Sequence, residues 1–124
     1  MLFQRFTQLA LAVSLIAQTG VASAFHAASD ALAIELISSS GTTGGIIVHL
    51  GCGEGELTAS LRVSEQFQVQ GLDRDVAKVE AAREKIRAAG KYGTSAVDRL
   101  SGDALPYIEN MINLLIVDNA SGIN

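Results

Sequence analysis

A glycine-rich turn at residues 51–55 (GCGEG) is the feature that most constrains how this 124-residue chain folds. It follows the apolar run 45–48 and precedes a helix-like stretch at 56–61. In α/β proteins, a strand, a glycine turn and a helix start in this order bring backbone N–H groups against a nucleotide. Glycine motifs alone are weak signals, so a flexible loop stays open as an alternative at this point.

Residues 1–24 have the pattern of a secretory signal peptide. Arg5 and the amino terminus are positive, residues 9–17 are apolar, and small residues end the stretch, which predicts cleavage between Ala24 and Phe25. An uncleaved membrane anchor is the alternative, but the apolar run is shorter than the ~20 residues that span a bilayer. We therefore expect an exported protein, periplasmic or extracellular, with no stable membrane anchor after cleavage.

The remaining residues, 25–124, alternate predicted helices with predicted strands and form one domain. We expect helices from Ser29 or Asp30 to about Ile37, from 56 to about 62–64, and from the cap Asp75 to Ala89, with strands at 46–50, 68–73, 95–100 and 112–117. This alternation predicts an α/β fold, a Rossmann-like parallel sheet with flanking helices and right-handed crossovers. Ligands in such sheets bind at the carboxyl ends of the strands.

Apolar spacing predicts which helix faces are buried. In the first helix Leu32 and Leu36, together with Ala33 and Ile37, mark one face. In the third helix the expected inward stripe is Val76, Val79, Ala82 and Ile86.

Composition narrows the possible partners. The chain is 48% hydrophobic and 18% charged, as expected of a globular domain, and its net charge of −4 gives no indication of nucleic-acid binding. The single cysteine, Cys52, excludes an intramolecular disulfide. We interpret Cys52 as a small space-filling residue rather than a nucleophile, because no base is positioned beside it in the sequence.

Two acidic residues follow predicted strands and are candidate ligand contacts. Asp73 comes 18 positions after Gly55, close to the ~20 at which nucleotide-binding units place an acid on a ribose diol. Its alternative role is to cap a turn or the following helix. Asp103 could accept a hydrogen bond from an adenine amino group, with Leu105 as an apolar wall, although Gly-Asp is also an ordinary turn sequence.

Taken in order, these motifs resemble the class I S-adenosylmethionine-dependent methyltransferases. Residues 48–55 resemble that family's first motif, 71–73 its second and 102–106 its third. The resemblance implies S-adenosyl-L-methionine as the cofactor and methyl transfer to an unknown acceptor. It implies that the three glycines approach the methionine part, Asp73 the ribose, and Asp103 with Ala104 the adenine. The candidate cofactor-binding residues are His49, Gly51, Cys52, Gly53, Gly55, Asp73, Arg74, Asp103, Ala104 and Asp118.

Among the sequence's departures from the family pattern, two concern the cofactor site and the sheet. His49 stands two positions before the first glycine, where the family usually has an acid that helps to hold the cofactor's amino group; by this resemblance, an acid at position 49 would strengthen cofactor binding. The family's sheet also continues further, so the resemblance implies a sheet truncated after its fourth strand. Asp118 and Asn119 are the nearest candidates to contact an acceptor, and no catalytic residue or metal site is predicted, because methyl transfer depends mainly on alignment.

Two other readings stay open. A nicotinamide-binding domain would place its third glycine one residue later, at Glu56. A signal peptide before a methyltransferase-like domain is similar to exported proteins in which such a domain precedes β-propeller repeats of the pyrroloquinoline-quinone type. The alternative to an enzyme is therefore a non-catalytic binding or structural module, the front end of a longer propeller protein.

Overall fold

The computed structural model describes residues 26–119, which form three helices and four strands. The predicted signal peptide, its cleavage site after Ala24 and residues 120–124 lie outside this described part. The elements in chain order are α1 (26–40), β1 (Gly45–Leu50), α2 (Glu56–Ser60), β2 (Phe67–Asp73), α3 (Val76–Ala88), β3 (Ser95–Arg99) and β4 (Leu114–Val117).

The four strands are parallel and lie in the order β3-β2-β1-β4, which confirms the predicted Rossmann-like sheet. β1 is an inner strand with β2 on one side and β4 on the other. In this register His49 lies opposite Gly71 of β2 and Ile116 of β4. The carboxyl ends of β1, β2 and β4 therefore meet at one edge, where the candidate site residues follow them.

The three helices cover one face of the sheet. Ile47 and Val69 of that face pack with Ala33 and Ile37 of α1 and with Leu61. Further along, α3 packs Val79, Ala82 and Ile86 against Val97 and Cys52. Because alternate strand residues point to opposite faces, His49 shares this helix-covered face with Ile47.

The other face is covered by the irregular segment 100–113. Val48, Leu50 and Leu72 form its buried centre with Leu100, and Leu105, Tyr107 and Ile112 pack against them. β1 is thus buried on both faces, as its nearly continuous apolar sequence predicts. On the outer strand β4, Leu115 and Val117 remain 42% and 49% exposed.

Several predicted details are wrong. α2 ends at Ser60 because residues 61–66 turn back toward β2, and β4 begins at Leu114 because Ile112 packs against the second face instead of pairing. In α1 the sheet contacts fall on Ala33 and Ile37, so Leu32 is 44% exposed. Val76 is 52% exposed because it begins α3 at the edge where β2 ends. No helix within residues 26–119 is long and apolar enough to cross a membrane.

Candidate functional site

The glycine turn is tied to the end of β2. The backbone N–H groups of Gly51 and Cys52 both donate to the carbonyl of Leu72, at 2.7 and 3.1 Å. The turn then closes through a bond from the Gly55 N–H to the Cys52 carbonyl, 3.1 Å. The loop is therefore an ordered turn of the fold, and the alternative of a flexible glycine loop is not supported.

The three glycines of the turn are required for different reasons. Each has a positive φ, 75° at Gly51, 56° at Gly53 and 81° at Gly55, which side chains rarely adopt. A Cβ on Gly51 would lie 2.6 Å from the Asn119 nitrogen, and one on Gly55 would lie 2.7 Å from the Ala82 Cβ. A Cβ on Gly53 would meet nothing within 4 Å. Gly51 and Gly55 thus serve internal packing, and Gly53 alone faces open space that a ligand can approach.

Asp73, the last residue of β2, faces this turn. One carboxylate oxygen, Oδ2, accepts from the Gly53 N–H at 3.0 Å, and the other, Oδ1, accepts from the Asp75 N–H at 2.9 Å. Asp75 in turn caps α3 by accepting from the Ala77 N–H. Asp73 therefore does close a turn, as its alternative reading supposed. A carboxylate offers about four acceptor positions, so two remain for a ligand's hydroxyl groups.

A small hollow of about 50 Å³ lies beside the Asp73 carboxylate. Leu72 and Leu100 supply its apolar lining, and Gly51, Asp73 and Arg74 also line it. The Arg74 guanidinium donates to the Gly102 carbonyl at 2.7 Å and so ties the following loop to this edge. Ligand pockets usually enclose ~300–1,000 Å³. The residues that line this smaller hollow can therefore enclose only part of a nucleoside.

The third predicted motif is positioned differently from the first two. Asp103 and Ala104 lie on an exposed bend and do not line the hollow. Leu105 packs under the sheet with the Val48 and Leu72 cluster, so the apolar lining expected from it comes from Leu72 and Leu100 instead. The adenine contact of Asp103 and Ala104 stays a prediction.

His49 lies on the β4 side of the turn and is 1% exposed. Its Nε2 is 2.6 Å from the Asp118 carboxylate, and its Nδ1 is 2.8 Å from the Thr58 hydroxyl. Since a carboxylate only accepts, Nε2 donates to Asp118, and in the neutral ring Nδ1 accepts from Thr58. Both ring nitrogens are therefore satisfied inside the protein, and the Asp118 carboxylate is the end of this chain that reaches solvent.

A second cleft, about 320 Å³ in volume, opens beside this pair. His49, Cys52, Gly55 and Asp118 line it, together with the exposed acids Glu54 and Glu56.

Lys85 of α3 binds both of these exposed acids, at 2.8 and 3.0 Å, and its hydrogen bond and positive charge lower the pKa of Glu54. Three carboxylates line the cleft, those of Asp118, Glu54 and Glu56, and Lys85 supplies one positive charge to balance them. The cleft is acidic.

Cys52 lines the same cleft but is 6% exposed and packs against α3. Burial, with a smaller contribution from the charge of Asp73, raises the pKa of the thiol to about 12. A thiol with such a pKa is protonated at neutral pH, which agrees with its reading as a space-filling residue. No cluster of His, Cys, Asp and Glu side chains within residues 26–119 could hold a metal ion.

Several contributors to the site were missed in the sequence, among them the acids Glu54 and Glu56 that line the cleft. Thr58 orients His49 from a short helix, and Leu72 and Leu100 line the hollow beside Asp73. Thr58 follows Leu57 in the apolar spacing, and nothing in that spacing shows a buried hydroxyl facing a strand. Leu72 and Leu100 end their strands, and their position next to Asp73 could have been inferred from the rule that ligands bind at strand ends.

No model of a protein family matches the chain, and no curated protein sequence matches it either. Solved structures do match the fold of this chain, at low sequence identity.

One match is a protein assigned as an S-adenosyl-L-methionine-dependent methyltransferase, from Methanococcus maripaludis, with 21% identity and a TM-score of 0.68. A second is geranyl diphosphate methyltransferase in complex with S-adenosylmethionine, with 19% identity and a TM-score of 0.62. The fold is that of the S-adenosylmethionine-dependent methyltransferases.

The methyltransferase fold is present here only in part. The match to the Methanococcus maripaludis protein covers 79% of this chain but 45% of that one, and the match to geranyl diphosphate methyltransferase covers 71% and 36%. The chain thus spans less than half the length of these proteins. A 4+2 cyclase, 21% identical with a TM-score of 0.61 over 69% of this chain and 32% of its own, has the same fold. Fold therefore does not decide the reaction, and the argument for function depends on the site.

Proposed function

We propose that this chain binds S-adenosyl-L-methionine and forms the cofactor-binding part of a methyltransferase. The observation that carries the proposal is the contact between the glycine turn and Asp73. The Gly53 N–H donates to the Asp73 carboxylate at 3.0 Å, beside open space over Gly53. A ribose can thus reach the carboxylate without meeting a side chain from the turn.

Two regions of the chain bind different parts of the cofactor in this proposal. Asp73 accepts from the ribose hydroxyls, and Leu72 and Leu100 give the adjoining base an apolar surface. The ligand then extends over Gly53 to the cleft beside Asp118. The negative charge of this cleft suits a positively charged sulfonium. We keep Asp103 and Ala104 in this proposal as contacts of the adenine.

Methyl transfer depends more on aligning the methyl group with its acceptor than on acid or base chemistry. When bound, S-adenosyl-L-methionine supplies an electrophilic methyl group on its sulfonium. The protein's part is to hold that group in line with a nucleophile and to exclude water around it. We assign the acceptor contact to Asp118 and Asn119, which follow β4 and whose backbone N–H groups donate to the Leu50 carbonyl.

The test is calorimetric titration of the full 124-residue chain with S-adenosylmethionine, S-adenosylhomocysteine and NAD. We expect saturable binding of the first two and none of NAD. Transfer of a labelled methyl group is then measured with acceptors that carry oxygen, nitrogen or carbon nucleophiles. Binding of NAD in place of S-adenosylhomocysteine by a folded chain would overturn the proposal. Cofactor binding without methyl transfer would favour the non-catalytic module.

We also propose that the protein is exported, on the evidence of residues 1–24 alone. The expected product of processing in a host with a secretion pathway begins at Phe25. Mass spectrometry of the secreted or periplasmic chain measures this directly. An intact Met1 on a chain that stays in the cytoplasm would contradict it.

A further inference from the structure

The sheet has two outer edges, and the edge formed by β3 is covered by the chain itself. The backbone groups of β3 that do not pair with β2 include those of Ser95 and Val97. The Ser95 N–H donates to the Lys91 carbonyl at 2.9 Å, and the Ser95 carbonyl accepts from the Gly93 N–H at 3.2 Å. The Val97 carbonyl accepts from Nε of Arg83 at 3.0 Å. This edge therefore offers few free backbone groups to another strand.

The outer edge of β4 has no such cover. The Asp118 N–H donates inward to the Leu50 carbonyl at 2.9 Å, so the alternation along the strand directs the backbone groups of Leu115 and Val117 outward. Within residues 26–119 no hydrogen bond reaches these outward groups. The strand is Leu-Leu-Ile-Val, without the charged residues or proline that keep an edge strand from pairing. β4 is therefore open to a further strand.

Side chains show the same contrast between the two edges. β3 ends in Asp98 and Arg99, both exposed, and Asp98 binds Arg83 at 3.1 Å. On the other side, the segment that leads into β4 exposes Ile108 and Met111 in addition to the apolar residues of the strand. Exposed apolar residues beside an unpaired strand are typical of a surface that another chain covers. The net charge is −4, and an uncharged edge lets two copies approach without bringing like charges together.

We propose that a second copy of this chain pairs with the outer edge of β4, antiparallel and about a two-fold axis at Ile116. In this register the outward groups of Leu115 in each copy face those of Val117 in the other, and each such pair exchanges two N–H···O bonds. The two sheets become one sheet of eight strands, four from each copy, which is within the usual size of sheets. This inference is independent of the proposed function.

The position of Asp118 favours the antiparallel arrangement over a parallel one. In a parallel pair the two Asp118 residues would stand side by side, about 5 Å apart, and like charges placed directly opposite each other destabilise a sheet. In the antiparallel register Asp118 lies opposite Leu114 of the second copy. The two Asp118 residues are then four residues apart along the strands, about 14 Å. This distance exceeds the Debye length of ~8 Å at physiological salt.

Sedimentation velocity of the full 124-residue chain measures the association. We expect wild type to sediment with twice the mass of one chain. Val117→Lys places an ammonium group beside Leu115 of the second copy, twice per dimer, and should raise the dimer dissociation constant at least about tenfold. Val63→Lys is the matched control, because Val63 is 43% exposed against 49% for Val117 and lies between α2 and β2, away from β4. It should change the constant by less than about twofold.

Cysteine crosslinking tests the register. At the two-fold axis the two Ile116 residues form a pair with Cα atoms about 4.5 Å apart, within the range of about 4.4–6.8 Å that disulfides span. Ile116→Cys should therefore give a covalent dimer under mild oxidation. Leu115→Cys is more exposed, but its two copies are diagonal neighbours about 8 Å apart and should crosslink at least about tenfold more slowly. The native Cys52 is buried and present in both variants.

A wild-type chain that sediments as a folded monomer overturns the inference. A dimer that Val117→Lys leaves unchanged also overturns it, because residues 1–24 are the same in every variant and association through them would not respond to position 117. Faster crosslinking through Leu115→Cys than through Ile116→Cys would overturn the two-fold register at Ile116. Far-ultraviolet circular dichroism confirms that each variant is folded. Calorimetry of the same chain measures cofactor binding separately, so the two proposals succeed or fail independently.

Discussion

Replacing Asp73 with alanine tests the proposed ribose contact, and the structure shows that this change also affects stability. The carboxylate accepts from the N–H groups of Gly53 and Asp75 at 3.0 and 2.9 Å. Hydrogen bonds to a charged group contribute about 1.5–3 kcal/mol each. Both N–H groups lie near the surface and regain water in the variant, so we expect Asp73→Ala to lower the free energy of unfolding by about 2–3 kcal/mol.

The expected effect of Asp73→Ala on binding is separate from this loss of stability. A ribose diol on Asp73 makes one or two charge-assisted bonds, and about 1.4 kcal/mol corresponds to a tenfold change in dissociation constant. The variant should therefore bind S-adenosylhomocysteine at least about tenfold more weakly.

Asp75→Ala is the matched control for Asp73→Ala. Asp75 is two residues away and caps α3 through one bond to the Ala77 N–H at 2.9 Å, but it does not line the hollow. Loss of such a cap costs about 1 kcal/mol. Urea unfolding measures both stabilities, and titration follows at a temperature where each variant is fully folded. Wild-type affinity in Asp73→Ala, or an equal loss of affinity in Asp75→Ala, would refute the reasoning.

Three further changes follow from the same contacts. His49→Asp places a second carboxylate against Asp118 at a buried position and should destabilise the fold by about 3–5 kcal/mol in urea unfolding. This effect on folding is separate from the stronger cofactor binding that the family resemblance implies, and unchanged stability would show that the two carboxylates are kept apart. Gly51→Ala combines a left-handed backbone with a Cβ 2.6 Å from the Asn119 nitrogen and should lower the free energy of unfolding by about 3 kcal/mol or more. Gly53→Ala has open space around its Cβ and should lower it by about 1–2 kcal/mol while blocking the ligand. Equal losses would contradict the different roles assigned to the two glycines. A pKa of about 12 for Cys52, raised from 9.0, leaves about a thousandfold less thiolate at pH 8. Iodoacetamide should therefore alkylate Cys52 rapidly only after unfolding in guanidinium, and rapid alkylation of the folded chain would show that the thiol is not buried.

The strands and the long helix could be predicted because their signals are local. Each predicted strand overlaps an observed one, and α3 follows its Asp75 cap and stops before Gly90, whose φ is 70°. The positions of the glycine turn and Asp73 followed from spacing as well, because a parallel sheet brings the ends of neighbouring strands together.

The partner of His49 could not be predicted, because it depends on which strand lies beside β1. Asp118 is 69 residues away in the sequence, and the contact requires β4 to pair with β1 on the side opposite β2. The alternation of helices and strands is the same if β4 pairs with β3 instead. Leu105 was misplaced for a related reason, since its position depends on how segment 100–113 folds under the sheet.

The strand order also supports the proposed cofactor over its main competitor, a dinucleotide. β2 and β4 flank β1, so Asp73 stands on one side of the glycine turn and Asp118 on the other. A dinucleotide would lay its pyrophosphate along this turn. There it would meet the carboxylates of Asp118, Glu54 and Glu56, and Lys85 is already engaged with two of these. A nucleoside that carries a sulfonium and an ammonium group places positive charge at the same position. The charge of the cleft thus supports the proposed cofactor over the dinucleotide, a choice that the glycine spacing alone left open.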